Sequence, residues 1–135
     1  MQYMLLLQGE EPNWEDVSPE EMQATIESMG RFNEELKDAG AMVTGGGLRE
    51  RATATVVRFQ LEGEPIVTDG PFTETKEQLM GFWIIDCANL DEALAWTRKV
   101  PLQGGAIEVR PLVEHSREED DISGEELVRR ATEKK

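Results

Sequence analysis

Cysteine, histidine and tyrosine each occur only once in this chain of 135 residues. A single cysteine, Cys87, excludes an internal disulfide and with it a disulfide-stapled scaffold, and it suits a reducing cytoplasm. A single histidine, His115, leaves no Cys/His cluster at metal-ligand spacing, so no metal is expected. The glycine run Gly45-Gly46-Gly47 lacks the lysine and helix start of a phosphate loop, and no cofactor is expected. Apolar runs are short as well. None approaches the roughly 18 residues that a membrane span needs. Residues 1–7 are a brief apolar segment with no basic stretch before them, which predicts no secretory leader and a cytoplasmic protein.

Positive charge is scarce: 14 Lys and Arg stand against 28 Asp and Glu, a net charge of −14. Residues 1–113 hold 20 acids and 9 bases, and residues 114–135 hold 8 and 5, so the excess lies mostly in the body. Ten acids and two bases fall between Glu10 and Asp38. Such a surface repels phosphate backbones and anionic lipid, which predicts neither direct nucleic-acid binding nor membrane association. Solubility is the ordinary role of such charge.

The length is that of one domain with a single core. Residues 1–7 read as a strand with Tyr3, Leu5 and Leu7 on one face and Met4 and Leu6 on the other, apolar on both. Ser18-Pro19-Glu20-Glu21 supplies an N-cap, a proline at the first helical position and a capping-box glutamate. Met22, Ile26, Met29, Asn33 and Leu36 then recur at helical spacing beside Phe32, and Gly40 marks the stop. Residues 41–43 start a second strand, which Gly45-Gly46-Gly47 interrupts or bends. Residues 53–60 read as a strand turning at Glu62-Gly63-Glu64 into a strand over 66–68, and residues 79–87 carry Phe82, Trp83, Ile84 and Ile85 as one apolar run. Asn89-Leu90-Asp91-Glu92 opens a second helix that Pro101 ends, and residues 106–111 form the last strand.

That order, βα, further strands, then αβ, is the pattern of a ferredoxin-like α+β fold: an antiparallel sheet with two helices on one face. Met4, Leu6 and the Phe82–Ile85 run would leave the other face apolar. An apolar sheet face is rarely left bare, which predicts a homodimer through the open sheet face. The domain is expected over residues 1–113. Residues 114–135 form an acidic tail in which 123–134 can make one short amphipathic helix.

The segment from Val67 to Glu77 contains Asp69-Gly70-Pro71-Phe72, flanked by Gly45-Gly46-Gly47-Leu48 and residues 54–58 before it, and by residues 79–85 and Ile107-Glu108-Val109-Arg110-Pro111 after it. In this combined pattern residues 1–113 resemble the YCII-related (DGPF) family. The resemblance implies a ferredoxin-like fold of the dimeric α/β-barrel type, usually self-associated, with a cleft near the Asp69 loop. Members are often uncharacterised, with an enzymatic role suggested and, in some, an association with sigma-factor genes. Some members of the wider superfamily carry a histidine–aspartate pair suggested to be catalytic. This chain departs from them, because His115 lies past the last strand with no motif around it.

Two readings stand for Asp69. In one its carboxylate caps backbone N–H groups of a turn stiffened by Gly70 and Pro71, with Phe72 as an apolar anchor. In the other it is a catalytic acid or base, or a ligand acceptor, in the cleft. Glu74 and Lys76 are candidates to bind a ligand or are surface charges. Arg110, between Val109 and Pro111, needs a carboxylate, solvent or a ligand. Tyr3 and Arg58 sit on strands that can border the same cleft, with core packing or solvation as the alternative. Cys87 reads as a small buried hydrophobe rather than a nucleophile. The functional expectation is a dimeric domain that binds a small molecule, or an enzyme, with its cleft near Asp69. The alternative is an accessory or regulatory module acting with a partner protein such as a sigma-factor system.

Overall fold

The computed structural model describes residues 1–69, 78–113 and 128–129. Its first strand, β1 (Gln2–Gly9), leads to α1 (Pro19–Asp38) and β2 (Met42–Gly47). A hairpin follows, β3 (Thr55–Arg58) and β4 (Ile66–Asp69), and then β5 (Gln78–Asp86), α2 (Leu90–Arg98) and β6 (Ala106–Pro111). Local signals set these limits. Ser18 Oγ accepts from Glu21 N at 3.1 Å to cap α1, and Asn89 Oδ1 accepts from Glu92 N at 3.0 Å to cap α2. Glu92 also reaches back, its Oε2 accepting from Ala88 N at 2.8 Å, one residue further than the capping box expected. Gly40 ends the α1 region at φ 72°, a left-handed angle that favours glycine.

The main sheet has the order β2-β5-β1-β6, with every neighbouring pair antiparallel. Both β1 and β2 run opposite to β5, and both β5 and β6 run opposite to β1. The two crossovers, through α1 and α2, therefore each join parallel strands with one strand between them, the split βαβ arrangement of a ferredoxin-like fold. The hairpin β3–β4 forms its own two-stranded sheet, inserted between the two halves.

Register assigns the faces. Tyr3 lies opposite Ile85, and Leu5 lies opposite both Trp83 and Val109. Partners in a ladder share a face, so these residues make one side of the sheet. With Phe32 and Leu36 of α1 and Ala93 of α2 they form the buried core, so both helices cover that side. Leu5, Leu36 and Ile85 have no exposed surface, each contributing about 1.5–3 kcal/mol by burial. The opposite face carries Met4, Leu6, Phe82 and Ile84, all half-buried, with Glu108 and Arg110 exposed beside them on β6.

Three expectations change. The glycine run does not interrupt β2: Gly45, Gly46 and Gly47 pair with Trp83, Phe82 and Gly81, and the irregularity lies earlier, between Met42 and Thr44. Only the second half of the α1 stripe is packed, for Phe32 and Leu36 are buried whereas Met22 and Ile26 are exposed. Arg51–Thr53 is a 3-10 turn rather than strand, so β3 starts at Thr55. In the tail, residues 128–129 are helical, and the rest of the expected 123–134 helix lies outside the described residues.

Candidate functional site

Asp69 is the last residue of β4 and stands directly opposite Thr55, and the segment that it was expected to cap lies outside the described residues. Thr55 Oγ1 donates to Asp69 Oδ1 at 2.9 Å, so among the described residues a cross-strand hydroxyl, not a turn amide, holds this carboxylate. Arg58 is at the other end of the same hairpin, opposite Ile66, and the alternation along β3 turns it to the other face from Thr55. Tyr3 is 3% exposed and packed in the core, with its hydroxyl 3.5 Å from Met1 Sδ. Interior packing, rather than a cleft wall, is thus where the structure places it. Arg110 is exposed on the open face next to Met4, and no described carboxylate pairs with it, because the edge strand leaves it in solvent. Register therefore separates Asp69, Arg58, Tyr3 and Arg110 into different sheets, ends and faces. Gly70, Pro71, Phe72, Glu74, Lys76 and His115 lie outside the described residues.

A cleft that the sequence did not single out opens on the helix-covered side, between α1, β2 and β5, with a volume of about 270 Å³. Met29 and Asn33 contribute from α1, Met42 and the three glycines from β2, and Met80 to Trp83 from β5, with Leu7 of β1 beneath. Strand chemistry explains the glycines. A Cβ on Gly45 would stand 2.9 Å from the Phe82 carbonyl oxygen and 3.0 Å from Trp83 Cδ1, so a side chain there would push β2 off β5. At Gly47 a Cβ would meet nothing within 4 Å. Gly47 pairs with Gly81, two residues from Trp83 on the helix-covered face, so the missing side chain there is open cleft.

One polar pair is set into this apolar wall. Trp83 Nε1 donates to Asn33 Oδ1 at 2.9 Å. Phe32, the preceding residue of α1, packs edge-on against the same indole, with ring centroids 5.6 Å apart at 84°. Adjacent helical residues thus hold Trp83 by packing and by hydrogen bonding, which makes it a rigid wall. An indole N–H can only donate, so the amide oxygen of Asn33 must face it and the amide N–H groups are the ones left over. No other described residue takes them.

Elsewhere one ion pair and one buried thiol stand out. A wider depression of about 340 Å³ between the helices includes Glu35 and Lys99, which pair at 3.7 Å, while the Lys99 ammonium also lies 5.0 Å from the Trp96 ring centre. Cys87 is buried, and burial, reinforced by the nearby Glu92 carboxylate, pushes its thiol above the ordinary range. It is an inert core thiol at neutral pH, as its apolar surroundings in sequence suggested. Among the described residues no group of three or more His, Cys, Asp and Glu is placed to hold a metal ion, and no helix is long and apolar enough to cross a membrane.

Comparison with known proteins gives three results. The YCII-related domain matches residues 1–116. An uncharacterized protein of Rhizobium meliloti (strain 1021) is 38% identical over 115 residues, which cover 83% of this chain and 92% of that protein. Among solved structures, 5-chloro-2-hydroxyhydroquinone dehydrochlorinase (TftG) from Burkholderia phenoliruptrix AC1100, in complex with 2,5-dihydroxybenzoquinone, covers 87% of this chain and 98% of its own. The identity is 15% and the TM-score 0.40, a level of likeness that carries no argument about chemistry.

Proposed function

Because this chain belongs to the YCII-related domain family, we propose that it is a homodimeric small-molecule-binding domain whose ligand lies in the cleft between α1, β2 and β5. The observation that carries this reading is the cleft itself: about 270 Å³ of largely apolar wall with one fixed hydrogen-bonding pair, Asn33 and Trp83. Concave, mostly apolar surface with a few placed polar groups is the ordinary form of a small-molecule site. Among the described residues the wall holds no carboxylate, histidine or thiol, so it supports binding rather than acid–base chemistry. Gly47→Leu tests the site, since a side chain there grows into open space. A single-ring compound that binds the wild type, followed by saturation-transfer NMR, is expected to lose binding to a folded Gly47→Leu variant. Undiminished binding to that variant would remove the reading.

The second copy belongs on the open sheet face. Met4, Leu6, Phe82 and Ile84 give that face an apolar centre, and Glu108 and Arg110 put opposite charges along one edge, which a two-fold pairing can set against each other. Light scattering at micromolar concentration is expected to return the mass of two chains, and Leu6→Lys the mass of one. A wild-type mass of one chain overturns the dimer.

A second reading, an accessory module acting on a partner protein, is favoured by the β3–β4 arm. Phe59 is 83% exposed and Leu61 fully exposed at its tip, and a lone two-stranded ribbon is marginally stable in water. A regulator that co-purifies with the wild type and is lost from Phe59→Glu supports this reading, and equal recovery removes it.

A further inference from the structure

Resting on the cleft as the binding site, we infer the class of its ligand: a neutral, ring-sized molecule that carries one hydrogen-bond acceptor, which the Asn33 amide N–H group meets. Four observations converge on that class. The volume of about 270 Å³ lies below the range of sites for drug-sized ligands, which fits one or two rings and not a peptide or a nucleotide. Three of the chain's six methionines, Met29, Met42 and Met80, border the cleft. Thioethers adapt to irregular shapes and make favourable contacts with aromatic rings, and the Trp83 indole adds aromatic surface.

Charge is the third observation. No charged side chain is among the described lining residues, so an ionised ligand would give up its hydration without a partner. An anion would also meet the field of a chain with a net charge of −14. The fourth is Asn33. Its oxygen accepts from Trp83 Nε1, which fixes the amide's orientation and leaves the two amide N–H donors without a partner among the described residues. The site is thereby selective for an acceptor, such as a carbonyl or ether oxygen, over a bare hydrocarbon.

Four single-ring probes separate these terms: acetophenone, ethylbenzene, benzoate and benzylamine. Their affinities for the full chain are measured by saturation-transfer NMR and by quenching of tryptophan fluorescence. Acetophenone is expected to bind more tightly than ethylbenzene by a few-fold to about tenfold, the worth of one net hydrogen bond. Benzoate and benzylamine are expected to bind more weakly than either. Asn33→Asp keeps an acceptor for Trp83 while removing the amide donors, and it is expected to erase the preference for acetophenone. Ethylbenzene binding equal to acetophenone, or tighter binding of either charged probe, overturns the ligand class while leaving the cleft in place. Binding of all four probes unaffected by Gly47→Leu, or no binding by any, overturns the cleft reading and the ligand class with it.

Discussion

Trp83 and Asn33 are fifty residues apart in sequence, yet the indole N–H of one donates to the amide oxygen of the other at 2.9 Å. This bond ties the central strand β5 to α1 at the edge of the cleft. It also fixes the orientation of the amide, leaving its N–H groups without a partner among the described residues. Asn33→Leu keeps much of the volume but strands the indole N–H, a loss expected to reduce stability by about 1–3 kcal/mol. Asn33→Asp, which preserves the acceptor, is expected to lose less. Urea midpoints of the two variants check the order, and an equal loss in both would show that the hydrogen bond is not what stabilises this contact.

Gly105 and Gly104 give a paired test of backbone geometry. Gly105 adopts φ 81°, and a Cβ there would stand 2.6 Å from the Gln8 carbonyl oxygen, whereas at Gly104 it would meet nothing within 4 Å. Gly105→Ala is expected to lower stability by at least the ~1–2 kcal/mol of a left-handed non-glycine residue. Gly104→Ala is expected to be within about 0.5 kcal/mol of the wild type. Thermal unfolding of both distinguishes them.

Asp69→Asn keeps the shape of the side chain and an oxygen that can still accept from Thr55. Because the hairpin is exposed, the expected change in stability is below about 0.5 kcal/mol. With the ligand in the α1–β2–β5 cleft, probe binding is expected to be unchanged as well. Loss of binding in a folded Asp69→Asn variant would instead put the site at the hairpin.

Cys87 links burial to pH. Its thiol pKa is raised in the folded state by burial, then by Glu92, so the folded protein holds the proton more tightly than the unfolded chain does. The stability this contributes is fully present below the ordinary thiol pKa and is lost as pH rises above it. Between pH 7 and pH 10 the wild type is therefore expected to lose more stability than Cys87→Ala, as read from urea midpoints at each pH. Labelling by a thiol reagent at pH 7.5 is expected to be slow until denaturant is added.

Elements with local signals were legible in the sequence. Ser18 and Asn89 each cap the helix they precede, Gly40 ends α1 with a positive φ, and the apolar run through Phe82 and Ile85 is the central strand. Each depends on residues a few positions apart, whose chemistry is fixed by the chain itself. The glycines of β2 show the limit. Read locally, three glycines weaken a strand, but the approach of Trp83 and of the Phe82 carbonyl makes Gly45 the residue that lets β2 pair. The cleft was illegible for the same reason, since Met29 reads only as part of a helical stripe, and Met42 and Met80 fall within strand segments, until three separate elements bring them together.

The sequence by itself determined the order of helices and strands, the ferredoxin-like α+β class, the acidity of the surface and the YCII-related family. Capping, apolar periodicity and net charge are properties of near neighbours or of simple sums, and they survive without knowledge of contacts. Tertiary structure alone decided that Tyr3 is core, that Asp69 pairs with Thr55 across a hairpin, and that methionines and glycines from separate elements line one cleft with Asn33 at its wall. Those outcomes depend on strand register, where a shift of one residue exchanges the two faces of a sheet, and register is settled only when distant segments pack.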